Sequence, residues 1–318
     1  MSTRSRTRLS GWISWPLLLC AAGVGLVPYF ALSGGGLVAK VQAFQLWLLA
    51  IPLLILALFL LRRRWLFSVA VALLLGIGLI PNLQPNTNNV TASQSLKGLT
   101  VLSFNTLKAG ADGSELADMI KQSEPDVLVL VETSEPLHQK LQALGALEHL
   151  PYRTAEVPTG GERDTVIFSK TPLKERVGEL GTDATGWYSL PIVDLETTYG
   201  PVTVAGIHIF PPLGDGAKWK HGFDAVTDWA ARQDSSQVIL AGDFNAVRAH
   251  PELRRLSSNF PDADGLWPSS SWPADRAFPT LIGIDHILAR GMSSTTFSSH
   301  GVSGSDHLAI RATLQPTR

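Results

Sequence analysis

The segment ILAGDFN, Ile239–Asn245, decides the fold and the chemistry of this 318-residue chain. The apolar residues Val238–Ala241 predict a buried β-strand, and Gly242 then allows the backbone to turn sharply. Asp243 and Asn245 are two residues apart, so they point to the same side of an extended segment. A carboxylate and a carboxamide at the end of a buried strand pack poorly against apolar side chains. They are suited instead to hold a water molecule, a metal ion or a phosphate oxygen.

Other strand-like runs also carry a polar residue at or near their ends. These runs are SFN at 103–105, VET at 131–133, IHI at 207–209, IDH at 284–286 and SDH at 305–307. Each has an ordinary explanation when taken alone, such as a turn for Asn105, a helix cap for Glu132 or a core histidine for His208. The pairs Asp285–His286 and Asp306–His307 could be hydrogen-bonded structural pairs. Together, so many polar groups are costly to bury unless they bind one another or a ligand.

Charge and hydrophobicity are distributed unevenly along the chain. Residues 1–96 contain seven basic residues and no acidic one, and the first acidic residue is Asp112. From Lys97 onward there are 19 basic and 27 acidic residues, a formal charge of −8. The chain therefore divides into a basic, apolar first third and an acidic remainder. The single cysteine, Cys20, excludes an intrachain disulfide.

Three apolar runs in the first third predict a membrane anchor, residues 1–81. Trp12–Leu32 and Val41–Leu61 each contain 21 residues without a charge, and Trp65–Pro81 contains 17. A secretory signal peptide would contribute one such run, not three. We therefore expect three transmembrane helices and a multi-pass protein of the cell membrane. A buried soluble helix is the alternative for the third run.

Basic residues at the ends of these runs predict the topology. Arginines at 4, 6 and 8 precede the first run, and Arg62–Arg64 separate the second from the third. The positive-inside rule places both groups in the cytoplasm. Three spans then leave the acidic domain on the extracytoplasmic side, whereas two spans would leave it in the cytoplasm.

The remainder of the chain predicts a linker and one large domain. Residues 82–98 are rich in Asn, Gln, Ser and Thr, which is typical of a flexible linker. Residues 99–318 can form a single core. Apolar runs predict strands at 100–104, 126–131, 165–168, 188–195, 202–209, 238–241, 284–289 and 308–314. Helical spacing predicts helices after Asp112, where Glu115 suggests a capping box, after Ser134 and around Trp219. This mixture predicts a layered α/β sandwich.

The order of the motifs resembles the endonuclease/exonuclease/phosphatase superfamily. The motifs are SFN, VET, SK at 169–170, HI, GDFN, IDH and SDH, and the resemblance covers residues 99–314. It implies a four-layer α/β/β/α sandwich of the deoxyribonuclease I type, preceded by three transmembrane helices. It also implies a metal-dependent phosphoric ester hydrolase for residues 99–318, most similar to membrane-anchored bacterial members.

The resemblance implies a metal site for Mg²⁺ or Mn²⁺, hard cations that prefer oxygen ligands. The expected ligands are Glu132, with help from Asn105, and Asp306 beside the metal. Some nucleases carry a second acid shortly after the asparagine, but here Thr106-Leu107 follows. One metal or two is therefore left open.

The resemblance also implies the catalytic residues. His208 is expected to donate to the phosphate, and Asp243 and Asn245 to orient the attacking water and a phosphate oxygen. Asp285 and His307 are expected to form an acid–histidine pair, in which the carboxylate raises the basicity of the imidazole. Water then attacks phosphorus in line, without a covalent enzyme intermediate.

Charge and tethering together favour a particular class of substrate. An acidic domain disfavours extended nucleic acid, which proteins usually bind with a basic surface. We therefore expect a phosphodiester or phosphomonoester, including a lipid- or glycan-linked one, and the bilayer as the other partner; no protein partner is inferred. The alternatives are a membrane-tethered nuclease for extracytoplasmic DNA or RNA and a catalytically silent scaffold.

Three further segments have open roles. Arg163 could contact substrate phosphate or be a solvated loop residue. The segment around Trp219 and Phe223 could face substrate or bilayer, or could anchor a helix on the core. The loop Pro268–Gly283 is a candidate for substrate specificity.

Overall fold

Two β-sheets packed face to face form the frame of the protein. The computed structural model describes residues 11–31, 36–84, 98–157, 163–214, 216–275 and 277–317. In chain order the strands are β1 Leu99–Asn105, β2 Val127–Val131, β3 Tyr152–Arg153, β4 Val166–Ser169, β5 Leu173–Glu175, β6 Ile192–Thr197, β7 Gly200–His208, β8 Val238–Asp243, β9 Asp285–Arg290, β10 Met292–Gly301 and β11 Leu308–Pro316. The first sheet has the order β10-β11-β1-β2-β4-β3 and the second the order β5-β6-β7-β8-β9.

Four of the ten described helices cover the outer faces of the two sheets. The helices are α1 Gly11–Leu26, α2 Leu37–Ala43, α3 Gln45–Leu48, α4 Ala50–Leu61, α5 Trp65–Leu79, α6 Gly113–Ser123, α7 Glu135–Ala143, α8 Thr182–Thr185, α9 Gly216–Ala231 and α10 Pro251–Ser257. Apolar residues of both sheets, such as Val129 and Ile239, form the central core. A second core packs α6 and α7 on the first sheet, and a third packs α9 and α10 on the second. The predicted α/β/β/α sandwich is therefore confirmed.

Several elements differ from the sequence-based expectation. The strand expected from residue 188 begins at Ile192, and the preceding residues form a loop. The edge strand β10, sequence MSSTTFSSHG, was not predicted because it has no apolar alternation. Asp112 caps α6 as expected, accepting from the backbone N–H groups of Ser114 and Glu115. The capping box is not completed, because the Glu115 carboxylate accepts from the Ser303 N–H instead.

The second apolar run is not one straight helix. Helix α2 and the segment Gln45–Leu61 meet at an angle of 69° at Phe44. Two buried glutamines flank this bend, and each donates its amide to a backbone carbonyl of another segment. The Gln42 amide donates to Val27 and Phe30 oxygens, and that of Gln45 donates to the Gly78 oxygen.

Two helical segments, Trp12–Tyr29 and Trp65–Asn82, are long and apolar enough to cross a membrane, and the bent pair would make a third. Large apolar side chains on them are exposed, including Trp12, Leu61 and Leu66 at 73%, 82% and 86%. Surfaces of this kind are unstable in water and suit a lipid environment.

The helical segments of residues 11–31 and 36–84 pack directly on the sandwich. Arg254 donates to the Pro28 oxygen, and His250 Nε2 contacts the Ala39 oxygen at 2.8 Å. Asn82 is buried and its oxygen accepts from Arg248 at 3.3 Å. The predicted linker therefore begins with packed residues. Its remaining part, 85–97, lies outside the described residues, so the flexible linker stays a prediction.

Candidate active site

Three neighbouring strands of the second sheet bring His208, Asp243 and Asp285 side by side. Strands β7 and β8 are parallel, with His208 opposite Asp243, and β8 and β9 are antiparallel, with Asp243 opposite Asp285. Gly242 makes this register possible, because it has φ of 150° and a Cβ there would lie 1.9 Å from the Ile207 oxygen.

The first sheet brings its polar strand ends to the same edge. Strands β1 and β2 are parallel, with Asn105 opposite Val131, so Glu132 follows directly at the end of β2. Strand β11 runs antiparallel to β1 and begins just after His307. The Ser305 hydroxyl donates to the Asn105 oxygen at 2.8 Å and fixes the SDH motif there.

All eight predicted site residues meet at one cleft of about 760 Å³. Six of them line it: Glu132, His208, Asp243, Asn245, Asp306 and His307. The other two, Asn105 and Asp285, lie directly behind these residues and contact them. The predicted residues therefore share one location, which is the geometric condition for a common chemical role.

His307 belongs to a hydrogen-bonded row that leads into the cleft. Its Nδ1 lies 2.8 Å from Asp285 Oδ2, and the Ser271 hydroxyl donates to the same oxygen at 2.6 Å. Its Nε2 lies 3.9 Å from Asp243 Oδ2. Burial by itself lowers the pKa of His307, but the carboxylates of Asp285, Asp243 and Asp306 outweigh this effect and raise the pKa to about 10.

His208 is paired with a carboxylate that the sequence motifs do not contain. Its Nδ1 lies 2.8 Å from Asp164 Oδ2, and its Nε2 lies 3.7 Å from Glu132 Oε1. Burial lowers the pKa of His208, but Asp164, Asp243 and Glu132 raise it to about 9. These carboxylates favour the imidazolium form of His208, which can donate a proton or a hydrogen bond to an anion. The Tyr188 ring stacks on it at 5.6 Å.

Asp243 lies between the two histidines. Its carboxylate accepts from Asn105 Nδ2 at 3.0 Å and from the Asn245 N–H at 2.8 Å. Burial raises the pKa of Asp243 to about 6, with the charge of Asp285 acting in the same direction and His307 against it. Asn245 adopts a left-handed conformation with φ of 48°, and its amide also bonds the Ile209 oxygen. Asn245 is thereby held rigidly beside Asp243.

Glu132 and Asp306 are the residues that fit a hard divalent cation. Trp272 Nε1 donates to Asp306 Oδ2 at 2.9 Å, whereas the buried Oδ1 has no hydrogen-bond partner among the described residues. This oxygen lies 3.7 Å from His307 Nε2, and a carboxylate oxygen without a hydrogen bond on a cleft wall suits a cation. Asn105 turns its NH₂ to Glu132 and Asp243 and its oxygen to the Leu107 N–H. In this orientation it aligns the carboxylates, and its role as a ligand stays a prediction.

A strained loop positions the Glu132 carboxylate. Leu107, Lys108 and Ala109 all have φ between 49° and 60°, and Glu132 itself has φ of 51°. The Lys108 N–H donates to Glu132 Oε2 at 3.1 Å. Left-handed residues other than glycine are costly, and their concentration here points to a functional constraint.

Asp243, Asp285 and His307 also have ligand atoms within 4.8 Å of one another. Two of these side chains, Asp285 and His307, bond each other through Oδ2 and Nδ1 in the row that starts at Ser271. Asp243, Asp285 and His307 are therefore a second group that could hold a cation, and cation binding by Glu132 and Asp306 stays a prediction.

Sequence reasoning did not identify four residues of the site: Asp164, Tyr188, Ser271 and Trp272. Ser271 and Trp272 lie in the loop 268–283, which was singled out only in general terms. Arg163 lines the cleft, but it pairs with Glu175 at 2.5 Å rather than standing free in solvent. Trp219 and Phe223 are completely buried, so they anchor α9 on the core.

The fold and the cleft define a two-sheet α/β sandwich with an acidic, histidine-containing site at one edge of its sheets. The model of the Endonuclease/Exonuclease/phosphatase family matches residues 102–307, and the chain belongs to this family. Members of the family hydrolyse phosphodiester bonds with the help of metal ions.

Solved structures share the fold at low sequence identity. An endonuclease/exonuclease/phosphatase from Beutenbergia cavernae DSM 12333 is 20% identical, with a TM-score of 0.51 over 70% of this chain and 72% of that chain. Humanized D. rerio TDP2 carrying 14 mutations is 17% identical, with a TM-score of 0.55 over 68% and 98%. Truncated Caenorhabditis elegans TDP2 is 19% identical, with a TM-score of 0.54 over 68% and 97%. A search of curated proteins finds no match.

Proposed function

We propose that the protein is a membrane-anchored, metal-dependent phosphoesterase that hydrolyses a phosphodiester or phosphomonoester by in-line attack of water. The observation that carries this proposal is the meeting of Glu132, Asp306, His208, Asp243 and His307 in one cleft. Membrane association is supported by the apolar helices, whose exposed side chains require lipid.

Each residue has a task that follows from its surroundings. Glu132 and Asp306 would hold a divalent cation, which would supply positive charge to the phosphate. His208, kept cationic by Asp164, donates to a phosphate oxygen. The attacking water is held between Asp243 Oδ2 and His307 Nε2, which are 3.9 Å apart and can contact the same oxygen atom. Asp285 holds the His307 ring in place through Nδ1.

The proposal is tested with the purified full-length chain in detergent and a soluble chromogenic diester, bis(4-nitrophenyl) phosphate. We expect hydrolysis that chelation abolishes and Mg²⁺ restores. His208→Gln and Asp243→Asn are each expected to lower kcat by about 100-fold or more, the range of a positioned proton donor or acceptor.

The matched control is His300→Gln, because His300 is exposed on the edge strand β10 and does not line the cleft. Folding is checked by comparing thermal unfolding of the variants. The proposal would be contradicted if both site variants still hydrolysed the ester. It would also be contradicted if hydrolysis were unaffected by Mg²⁺, by Mn²⁺ and by the chelator. Absence of turnover on a broad phosphoester panel would favour a silent scaffold.

A further inference from the structure

The membrane anchor forms one wall of the catalytic cleft. Lys40, Ala43 and Phe44, from α2 and the bend after it, line the same cleft as His208 and His307. Two contacts fix this segment: His250 bonds the Ala39 oxygen at 2.8 Å, and Trp47 Nε1 donates to the Leu281 oxygen at 2.7 Å. The start of this segment lies close to Pro212, because a Cβ on Gly36 would be 3.3 Å from the Pro212 backbone oxygen. The segment therefore lies between the loop after His208 and the loop 268–283.

The polar floor of the cleft is formed by Glu132, His208, Asp243, Asp306 and His307. On both sides of this floor, the outer part of the cleft is apolar. On one side Ala43 and Phe44 pack with Trp272, Ile282 and Ile284. On the other side the lining residues are Trp187, Pro211, Pro212 and Leu213, and Leu213 is 62% exposed. A small, fully hydrated phosphoester would gain nothing from these walls, whereas a hydrocarbon chain would be removed from water against them.

This apolar lining continues into the surface of the anchor. Leu37 is 71% exposed and Trp47 56%, and both lie on the segment that carries Lys40 and Phe44. Exposed apolar side chains therefore lie on the same segment as the cleft wall, where the hydrocarbon chain of a lipid would be removed from water.

The charges at the mouth suit one phosphate rather than a polyanion. Lys40 and Lys108 line the cleft, whereas the charge of Arg163 is compensated by Glu175. Five carboxylates line the same cleft: Glu132, Glu135, Asp164, Asp243 and Asp306. An extended nucleic acid would place several phosphates against this acidic wall and against the anchor.

We propose that the substrate is an amphiphilic phosphoester taken from the bilayer, and that the anchor residue Phe44 selects it by contacting its hydrocarbon chain. Lys40 attracts its phosphate to the mouth of the cleft. This inference rests on the proposed hydrolytic function, which supplies the reaction at the cleft floor.

The test compares two diesters that have the same leaving group and differ only in chain length. Methyl 4-nitrophenyl phosphate and dodecyl 4-nitrophenyl phosphate are hydrolysed by the full-length chain in the same detergent micelles. We expect kcat/KM to be at least about tenfold higher for the dodecyl ester, roughly the effect of burying two methylene groups. Equal values for the two esters would overturn the inference while leaving the proposed function intact. Failure to hydrolyse either ester would instead contradict the proposed function.

Substitutions in the cleft wall formed by α2 and the bend after it test the role of Phe44. Phe44→Ser is expected to reduce the preference for the dodecyl ester to about twofold or less, and Phe44→Leu to retain most of it. The matched control is Leu66→Ser, since Leu66 is 86% exposed at the start of α5 and does not line the cleft. A preference that persists in Phe44→Ser, or that Leu66→Ser removes equally, would refute the assignment.

Lys40 is tested separately, because it concerns charge rather than chain length. Lys40→Glu is expected to raise KM for both esters several-fold at low salt, with the effect falling at high salt. Lys121→Glu is the control, because Lys121 is an exposed residue of α6 that does not line the cleft. Faster turnover of a dinucleotide than of the dodecyl ester would replace the inference with a nuclease function.

Discussion

At the scale of single residues, Asp164 controls the charge of His208. The carboxylate contacts Nδ1 at 2.8 Å and is the largest of the charges that raise the pKa of His208 to about 9. Asp164→Asn keeps the size of the side chain but removes this charge, so the pKa of His208 is expected to fall. A positioned proton donor contributes roughly 100-fold or more to the rate. Because Asp164→Asn weakens this donor without removing it, we expect kcat at pH 8 to drop by at least about tenfold. The alkaline limb of the pH–rate profile is expected to move to lower pH.

Histidine NMR titration of the full-length chain in detergent separates this role from a packing role. A packing role would lower activity without moving the titration of His208. The control is Asp118→Asn, since Asp118 is a residue of α6 that does not line the cleft. An unchanged pKa of His208 in Asp164→Asn would show that other charges control this histidine.

Some residues of the site can be recognised from the sequence pattern, whereas others can be recognised only in the folded structure. His208, Asp243 and Asp285 could be found in the sequence because each ends or begins an apolar strand, and strand register then brings them together. Asp164 and Ser271 contact these residues through space from irregular segments, where no periodicity marks a residue. Motifs therefore predict the reacting side chains, whereas the groups that set their charge and orientation require the folded structure.

At the scale of elements, one histidine joins α2 to the sandwich. His250 Nδ1 accepts from the Val247 N–H at 2.9 Å, and its Nε2 donates to the Ala39 oxygen at 2.8 Å. Only the neutral imidazole can make both bonds, because a protonated Nδ1 would face a second donor. Burial lowers the pKa of His250 to about 4, with the charges of Arg254 and His286 acting in the same direction.

The contact between α2 and the sandwich is therefore expected to weaken in acid. The unfolded state takes up a proton on this histidine at a pKa of about 6.5, whereas the folded state does so at about 4. Its contribution to stability is thus complete above pH 6.5 and is lost as the pH falls towards 4. Between pH 7 and pH 5 the loss is on the order of 2 kcal/mol.

Chemical unfolding at a series of pH values measures this contribution. His250→Gln removes the titrating group, so its stability is expected to depend less on pH between 7 and 5 than that of the unmodified chain. His300→Gln is expected to leave the pH dependence unchanged. Hydrogen exchange of residues 36–44, corrected for its intrinsic pH dependence, is expected to rise in acid only when His250 is present. An equal pH dependence in His250→Gln would contradict this assignment.

Which elements could be predicted depended on their apolar pattern. The strand of the ILAGDFN segment and the helix capped by Asp112 were found because pattern and capping agree. The bend at Phe44 was not found, because an apolar run carries no sign of where a glutamine amide will bond a neighbouring helix. The bend is instead accompanied by tertiary hydrogen bonds, which only the folded structure reveals.

At the scale of the whole molecule, the sandwich lies at one end of the helical bundle. Tyr29 bonds the Ile77 oxygen and Gln45 bonds the Gly78 oxygen, so these ends of α1, α3 and α5 meet beside the sandwich. Arg62–Arg64 connect α4 and α5 at the opposite end of that helix pair. If these arginines lie in the cytoplasm, as the positive-inside rule requires, the cleft opens at the extracytoplasmic surface of the membrane.

Cysteine labelling in intact cells tests this topology, because Cys20 is the only native cysteine and Cys20→Ser supplies a cysteine-free chain. In that background, Ser299→Cys on the exposed edge strand β10 is expected to react with a membrane-impermeant maleimide added outside the cells. Ser2→Cys, which keeps all the N-terminal arginines, is expected to react only after the cells are permeabilised. The reverse pattern would place the cleft in the cytoplasm. Labelling of both positions from outside would mean an even number of spans with the amino terminus outside, contrary to the charge distribution.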